Sequence, residues 1–446
     1  MTRSIAVVAL LLLPAVGMAS AGDEAEASWP QWRGPLLSGV APKADPPLEW
    51  SETKNVAWKV EIPGKGSATP VVWGNHIFVL TAVPSEARSA PAPATEPEPP
   101  AGASGRRGPR GIQPEYAQRF TILAFDRKDG TVSWQRVLRE ELPHEGTHMT
   151  GTWASSSAVT DGERVYAYFG SRGLYALDRA GELLWEKDLG DMTIKRGFGE
   201  GSSPALHDGR LVINWDHEGD SFIVALDAKT GDELWRKSRD EPTSWATPLV
   251  VERDGKAQVV TSATNRVRSY DLTDGALLWE ASGMTANAIP TPVFSDGLLY
   301  LTSGFRGNAL LAVRLADARG DITGTPAIAW SYDRDTPYVP SPLLYEGQLY
   351  LLKSNDGILS AFDARTGERS YVERIDGVPN VYASPIGATG RVYVAGREGA
   401  VAVIRSGPEF ELLAVNELDD GFDASPVAVD GELYLRGKHL YRISED

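Results

Sequence analysis

The sequence has no cysteine among its 446 residues. That absence excludes disulfide scaffolds, thiol nucleophiles, cysteine-ligated zinc, iron–sulfur clusters and covalently attached c-type haem. Basic residues are also in the minority, with 44 Lys and Arg against 60 Asp and Glu and a formal net charge of −16. Because a protein that binds a phosphate backbone needs a basic surface, the composition argues against nucleic acid as a partner.

Long hydrophobic runs are missing beyond the first residues of the chain. Arg3, the apolar run 5–16 and the small residues 19–21 together have the pattern of a secretory signal peptide, which we predict over residues 1–21 with cleavage near Ala21. The run is shorter than the roughly 20 apolar residues of a membrane-spanning helix. Since no cysteine follows it, we expect a soluble, non-lipoprotein product that is periplasmic or secreted and has no transmembrane segment.

An internal repeat dominates the rest of the sequence. A small residue followed by Pro and an apolar run recurs seven times, and Ser157-Ala158 fills an eighth slot without the Pro. From that slot onward, successive copies are 41 to 50 residues apart. The eight slot residues are Thr69, Ser157, Ser203, Thr247, Thr291, Ser341, Ser384 and Ser425.

Each copy continues in a similar way. A turn ending in Gly is followed by an alternating apolar run, then by a run ending in Ala-x-Asp, a second Gly turn and a run that carries Trp; the clearest example is Ala225 to Trp235. Alternating runs with β-branched and aromatic residues, separated by Gly turns, predict four antiparallel strands per copy. Eight such units predict an all-β fold, an eight-bladed β-propeller. The Trp residues are interpreted as packing between blades.

The two ends of the chain bear on how the ring closes. The eighth copy stops at its third strand, Leu440 to Ile443, while a Trp-bearing strand at 55–60 has no earlier strands of its own. We predict that this N-terminal strand completes the last blade, so that residues 22–446 form one propeller domain. An open solenoid is the alternative, and it would leave both pieces unpaired.

The Ala-x-Asp-x-x-Thr-Gly-x-x-x-Trp pattern, best at Ala225 to Trp235, resembles the tryptophan docking motif of quinoprotein-type, or PQQ-like, propellers. The opening Trp29 to Pro35 is similar to the mature start of exported propellers of this type. The resemblance covers nearly the whole mature chain and implies eight blades. The family that it indicates includes BamB-like members without enzymatic activity and pyrroloquinoline quinone (PQQ) dehydrogenases. On the second branch, PQQ with calcium is a possible cofactor, although neither a calcium-ligand set nor a quinone-stacking pair can be placed here.

In a propeller, the loops that enter the innermost strands and those between the second and third strands gather around one mouth of the central channel. A concave channel with convergent polar groups is the default binding site. The alternative is that these residues satisfy loop backbone groups. We predict that the residues binding a ligand or cofactor there are Trp153, Trp245, Asn287, Arg306, Tyr338 and Tyr382.

Three further features of the sequence are candidates for sites of chemistry. His144-Glu145-Gly146-Thr147-His148 matches His-Glu-x-x-His, but that zinc site needs a helix, which Pro143 and Gly146 oppose. A loop metal site formed by His144, His148 and His217 is the alternative. The glycine-rich stretch 197–201 precedes no helix, which argues against a phosphate-binding role. Asp216 and Asp220 are candidates for a general base or for solvated loop acids. We therefore predict no metal site and assign no catalytic residue.

Residues 84–118 interrupt the first unit with a Pro- and Ala-rich insertion that ends near the basic residues Arg106, Arg107 and Arg110. Its composition predicts a flexible segment, either a tolerated surface insertion or a partner-docking tether on the channel face.

The leading hypothesis for function is a ligand-binding or protein-interaction scaffold, in which a protein partner or small molecule occupies the channel face. The alternative is a PQQ-dependent oxidoreductase acting on alcohols or sugars.

Overall fold

A computed structural model describes residues 21–88 and 111–445. The predicted signal peptide therefore lies outside the described residues except for Ala21, and so does the basic patch 106–110 of the insertion. A short helix, α1 (Ala21–Glu26), and two 3₁₀ turns, Gly170–Arg172 and Lys195–Gly197, are the helical elements of the described part. None of the helices in this part of the chain could span a lipid bilayer.

Thirty-three strands make up almost all the regular structure of the described residues. The first half are β1 (Val56–Glu61), β2 (Val71–Trp73), β3 (His76–Arg88), β4 (Tyr116–Asp126), β5 (Val132–Glu141), β6 (Val159–Thr160), β7 (Arg164–Tyr168), β8 (Leu174–Asp178), β9 (Leu183–Lys187), β10 (Ala205–His207), β11 (Arg210–Trp215), β12 (Phe222–Asp227), β13 (Glu233–Ser238), β14 (Leu249–Arg253), β15 (Lys256–Thr261), β16 (Val267–Asp271) and β17 (Leu277–Ala281). The second half are β18 (Val293–Ser295), β19 (Leu298–Ser303), β20 (Ala309–Arg314), β21 (Gly320–Asp321), β22 (Ile328–Tyr332), β23 (Leu343–Tyr345), β24 (Gln348–Leu352), β25 (Ile358–Asp363), β26 (Arg369–Arg374), β27 (Ile386–Ala388), β28 (Arg391–Ala395), β29 (Ala400–Arg405), β30 (Leu412–Glu417), β31 (Val427–Val429), β32 (Glu432–Arg436) and β33 (His439–Ser444).

These strands form eight antiparallel sheets, which confirms the eight-bladed propeller. Blades 1 to 3 are β2-β3-β4-β5, β6-β7-β8-β9 and β10-β11-β12-β13. Blades 4 and 5 are β14-β15-β16-β17, extended by the short parallel strand β21, and β18-β19-β20-β22. Blades 6 and 7 are β23-β24-β25-β26 and β27-β28-β29-β30. Blade 8 combines β31-β32-β33 with β1, so the N-terminal strand closes the ring as predicted.

The eight slot residues form a closed ring of hydrogen bonds around the channel. The backbone N–H of each one donates to the side-chain hydroxyl of the slot residue in the next blade, from Thr69 to Ser157 and finally from Ser425 back to Thr69, at 2.9 to 3.1 Å. All eight are buried. The first strands of neighbouring blades therefore stand side by side at a fixed spacing around the channel, with the outer strands turned away from it.

The tryptophans of the outer strands fasten each blade to the next, as the sequence predicts. Five indole N–H groups donate to a backbone carbonyl of the following blade at 2.9 to 3.2 Å; they belong to Trp58, Trp134, Trp185, Trp235 and Trp330. Trp279 differs, because its indole donates to Gln258 of its own blade at 3.0 Å. The turn it would otherwise meet in blade 5 is replaced by a longer segment that carries β21.

The ends of the insertion are more ordered than its composition predicts. Strands β3 and β4 continue into it, and Pro84 pairs with Gln118. Beyond residue 110, Ile112 exchanges two backbone hydrogen bonds with Thr147, at 2.6 and 3.0 Å, in a loop at the channel mouth. The segment thus leaves and rejoins the domain on the channel face; residues 89–110 lie outside the described residues.

The packing of tryptophan on glycine can be tested with a matched pair of variants. Gly231 and Gly209 both have positive φ, 76° and 69°, but a Cβ added at Gly231 would lie 2.8 Å from the Trp185 ring, whereas one at Gly209 meets nothing within 4 Å. Gly209→Ala should cost about 1 to 2 kcal/mol of unfolding free energy from backbone strain alone. Gly231→Ala should cost about 1 to 3 kcal/mol more, because the indole must move. Urea denaturation measures both; equal losses would contradict the docking role of Trp185.

Candidate functional site

A cavity of about 570 Å³ occupies the central channel and opens at the face of the entering loops. Pockets of this size hold small-molecule ligands in many proteins. Aromatic rings, hydroxyl groups and glycine backbone form most of its wall. The lining residues are Trp32, Ser67, Thr69, His148, Thr150, Gly151, Ser155, Ser157, Arg196, Phe198, Gly199, Glu200, Gly201, Ser203, Trp245, Ile289, Phe305, Tyr338, Val339, Tyr382, Asp423 and Ser425.

The segment before β1 forms the floor of this cavity. Its Trp32 lines the cavity and donates an indole hydrogen bond to the slot residue Ser425 at 3.3 Å. The buried Arg33 beside it donates to the carbonyls of Pro342 and Pro385, at 3.0 and 3.1 Å, in blades 6 and 7. On the other side of the channel, backbone hydrogen bonds join this segment to blades 1 and 2. Sequence reasoning missed this role, although Trp29 to Pro35 stood out as a motif outside the repeat.

Three of the six predicted binding residues line the cavity: Trp245, Tyr338 and Tyr382. The indole of Trp245 donates to the Gly199 carbonyl at 2.7 Å, which fixes the ring against the glycine-rich loop. Tyr338 stacks on Phe305 with their ring centroids 4.9 Å apart. The Arg397 guanidinium lies 4.0 Å from the centre of the Tyr382 ring.

The other three predicted residues lie outside the cavity wall. Trp153 packs behind it, between blades 1 and 2, and donates to the Glu145 carbonyl at 3.1 Å. Asn287 is buried with its side chain against Tyr338. Arg306 is exposed, over the ring of Phe305. Each sits in the loop that the sequence indicates, but the direction of its side chain depends on packing between blades.

His148 and Phe198 add a contact that the sequence did not predict. Their rings meet edge to face, 5.0 Å apart, and the His148 Nδ1 pairs with the Thr150 hydroxyl at 2.7 Å. Burial and the nearby charge of Arg397 lower the pKa of His148. The imidazole is therefore neutral at pH 7, and the residue adds a polar but uncharged group to the wall.

Two carboxylates line the cavity, and each already has partners. Asp423 forms an ion pair with Arg397 through both oxygens, at 2.5 and 3.2 Å. Glu200 accepts hydrogen bonds from the backbone N–H and the hydroxyl of Ser171, at 2.7 and 2.5 Å. Burial raises the pKa of the Glu200 carboxyl. Neither group is positioned as a free ligand for a cation.

The remaining candidate sites of chemistry have structural roles or are exposed. Residues 144–148 form a loop, as expected from Pro143 and Gly146, and His144 pairs with the Met192 carbonyl at 2.7 Å. Asp216 is not available as a general base, because Arg239, Asn214 and Ser244 all donate to its buried carboxylate. Asp220 is exposed. Within residues 21–88 and 111–445, no three His, Asp or Glu residues are grouped so as to hold a metal ion. The donors present do not fit calcium-bound PQQ.

Comparisons with known proteins give a consistent family. The family model described as outer membrane protein assembly factor BamB matches residues 48–219, 118–321 and 219–446. The structure is similar to BamB from Moraxella catarrhalis, with 12% identity and a TM-score of 0.57, over 88% of this chain and 97% of that one. No curated protein matches the chain significantly.

Two dehydrogenases have similar structures as well. One is a europium-containing methanol dehydrogenase, with 10% identity and a TM-score of 0.62, over 92% of this chain and 89% of that one. The other is the quinohemoprotein alcohol dehydrogenase from Comamonas testosteroni, with 10% identity and a TM-score of 0.63, over 94% and 80%. At such identities the likeness shows the fold alone.

The environment of His148 is open to a direct test. Histidine NMR titration should place its protonation midpoint below the ordinary value of 6.5. Arg397→Gln should raise that midpoint, because it removes a positive charge and frees the Asp423 carboxylate. The matched control Arg374→Gln, on an outer strand of blade 6, should leave it unchanged. An unaltered midpoint in Arg397→Gln would show that Arg397 does not act on this imidazole.

Proposed function

The chain belongs to the BamB-like family of PQQ-type propellers, and from this premise we propose that it is an exported scaffold that binds a ligand or a partner protein in its central cavity. The observation that supports this most strongly is the cavity itself. It is open at the loop face, floored by Trp32 and lined mainly by aromatic and hydroxyl side chains. Export is proposed from the signal-peptide pattern of residues 1–21, which supports a location in the periplasm or outside the cell.

The polar groups of the cavity favour a scaffold that binds a ligand over an enzyme that transforms one. A PQQ-dependent oxidoreductase takes its redox chemistry from the cofactor, which the protein must hold and polarise. Here Asp423 is paired with Arg397, and Glu200 is held by Ser171. A scaffold, by contrast, requires only complementary shape and hydrogen-bonding groups.

Addition of PQQ and Ca²⁺ to the purified protein separates the two functions. We expect no change in quinone absorbance, no increase in Tm and no dye-linked oxidation of alcohols or sugars. A rise in Tm together with turnover would establish the oxidoreductase and overturn the scaffold.

The scaffold has its own positive test, which exploits the absence of cysteine. Ile289→Cys places a single thiol in the cavity wall, and a bulky maleimide on it fills the cavity. Capture of partners from an extract of the source cells should be lost by this labelled protein. The matched control is Ser331→Cys, exposed on an outer strand of blade 5 and labelled in the same way, which should retain capture. Equal capture by both would place the interaction elsewhere on the molecule.

A further inference from the structure

The cavity is closed at one end, which restricts what can enter it. The N-terminal segment that closes it is attached on several sides. Arg33 is bonded to blades 6 and 7, the backbone N–H of Trp29 donates to the Val72 carbonyl of blade 1, and that of Ala41 donates to the Gly387 carbonyl of blade 7, at 2.8 Å each. Trp29 is fully buried. A polypeptide loop would need room for two strands and a turn, whereas a chain end needs room for one. A closed channel of this volume therefore favours the terminus of a partner chain.

Charge favours one terminus over the other. Among the residues that line the cavity, one guanidinium, Arg196, stands beside two carboxylates, Glu200 and Asp423, both of which already have partners. Arg196 lines the cavity, and Arg397 pairs with Asp423. Arg33 and Arg436 are buried just behind the wall, where their partners are backbone carbonyls, and no carboxylate of the described residues pairs with either of them. These two unpaired positive charges favour an anionic group over an amino terminus in the cavity.

The two buried arginines are held by carbonyls adjacent to lining residues. Arg436 donates to the carbonyls of Ala68, between the lining residues Ser67 and Thr69, and of Leu80, the latter at 2.6 Å. Arg33 follows the floor residue Trp32 directly. Burial lowers the pKa of each guanidinium to about 9, which is still above neutrality, so both stay charged at pH 7. Carbonyl dipoles solvate these charges without cancelling them.

Hydrogen-bond donors in the wall suit a carboxylate. Four of the ring hydroxyls line the cavity: Thr69, Ser157, Ser203 and Ser425. Each oxygen accepts a backbone N–H, but its own hydrogen has no acceptor within residues 21–88 and 111–445. These hydroxyls are therefore able to donate to anionic oxygens.

The glycine-rich loop contributes backbone donors on the same wall. Phe198 has φ −79° and ψ −5°, and the next residue, Gly199, has φ 87°. A right-handed residue followed by one of positive φ turns successive N–H groups into one concavity, an arrangement that binds anions without a helix. The N–H groups of Gly199 and Glu200 have no acceptor in the described part of the chain. The absence of a following helix thus does not exclude an anion-binding role for this loop.

From the closed floor, the two unpaired buried arginines and the free donors, we propose that the cavity receives the carboxyl terminus of a partner polypeptide, whose last side chains are apolar or aromatic. The terminal carboxylate meets Arg196, the ring hydroxyls and the loop N–H groups. The side chains pack on Trp245, Phe305 and Tyr338. This inference rests on the proposed scaffold function and names the part of the partner that it binds.

Paired peptide pools test the proposal on the full mature chain. One pool contains N-acetylated tetrapeptides randomised at all four positions with a free carboxyl terminus, and the other contains the same peptides as C-terminal amides. After ultrafiltration with the protein at 50 mM NaCl, mass spectrometry should find the free acids retained at least tenfold over the amides, enriched in apolar or aromatic last residues. Retention should fall at 300 mM NaCl.

A matched pair of variants locates the contact. Arg196→Gln, at an exposed position of the wall, should reduce retention several-fold without loss of Tm, while Arg374→Gln on an outer strand removes the same charge and should retain peptides as the parent does. Equal retention of acids and amides, or retention of neither pool, would overturn the proposal. If cavity-dependent capture of a partner nevertheless persists, the scaffold function stands and only the carboxyl-terminal mode of recognition fails.

Discussion

The rest of the structure depends on one interaction, the closed ring of eight backbone-to-hydroxyl hydrogen bonds around the channel. Each slot residue donates its N–H to the next blade and accepts the N–H of the previous one. Because every member has both roles, the ring leaves no unpaired N–H and its circumference is set by eight residues. It fixes where each first strand begins, and hence where each entering loop stands. The tryptophan contacts at the periphery then hold the outer strands in the same cyclic order.

The binding cavity follows from the same ring. The ring hydroxyls lie on its inner surface, and the loops that lead into the slot residues surround its mouth. The ring itself leaves the opposite end of the channel open. The N-terminal segment covers it and then continues into β1, which completes blade 8. One stretch of chain thus both closes the ring and floors the cavity. In this account the fold supplies a channel that is closed at one end and rich in hydrogen-bond donors, and the proposed partner supplies the group that enters it.

The sequence predicts the repeated parts of this protein well, because they rest on local patterns. Slot residues, Gly turns and outer-strand tryptophans recur in register, and even the closing strand could be assigned from an unpaired Trp. Parts that depend on contacts distant in sequence could not be predicted. Arg33 meets Pro342 across more than half the chain, so nothing near Trp32 in the sequence indicates that it floors the cavity. Likewise, the loops that carry Trp153 and Trp245 look equivalent, but only interblade packing decides which indole faces the channel.

Hydrogen exchange of the eight slot amides tests the central claim most directly. If the ring holds the blades as one closed unit around the cavity, the N–H groups of all eight slot residues exchange only through global unfolding, with a common opening free energy equal to the unfolding free energy from denaturation. Faster exchange of the Ser425 N–H, which donates to the Thr69 hydroxyl, than of the other seven would contradict the account, because blades 8 and 1 would then separate while the rest of the molecule stayed folded.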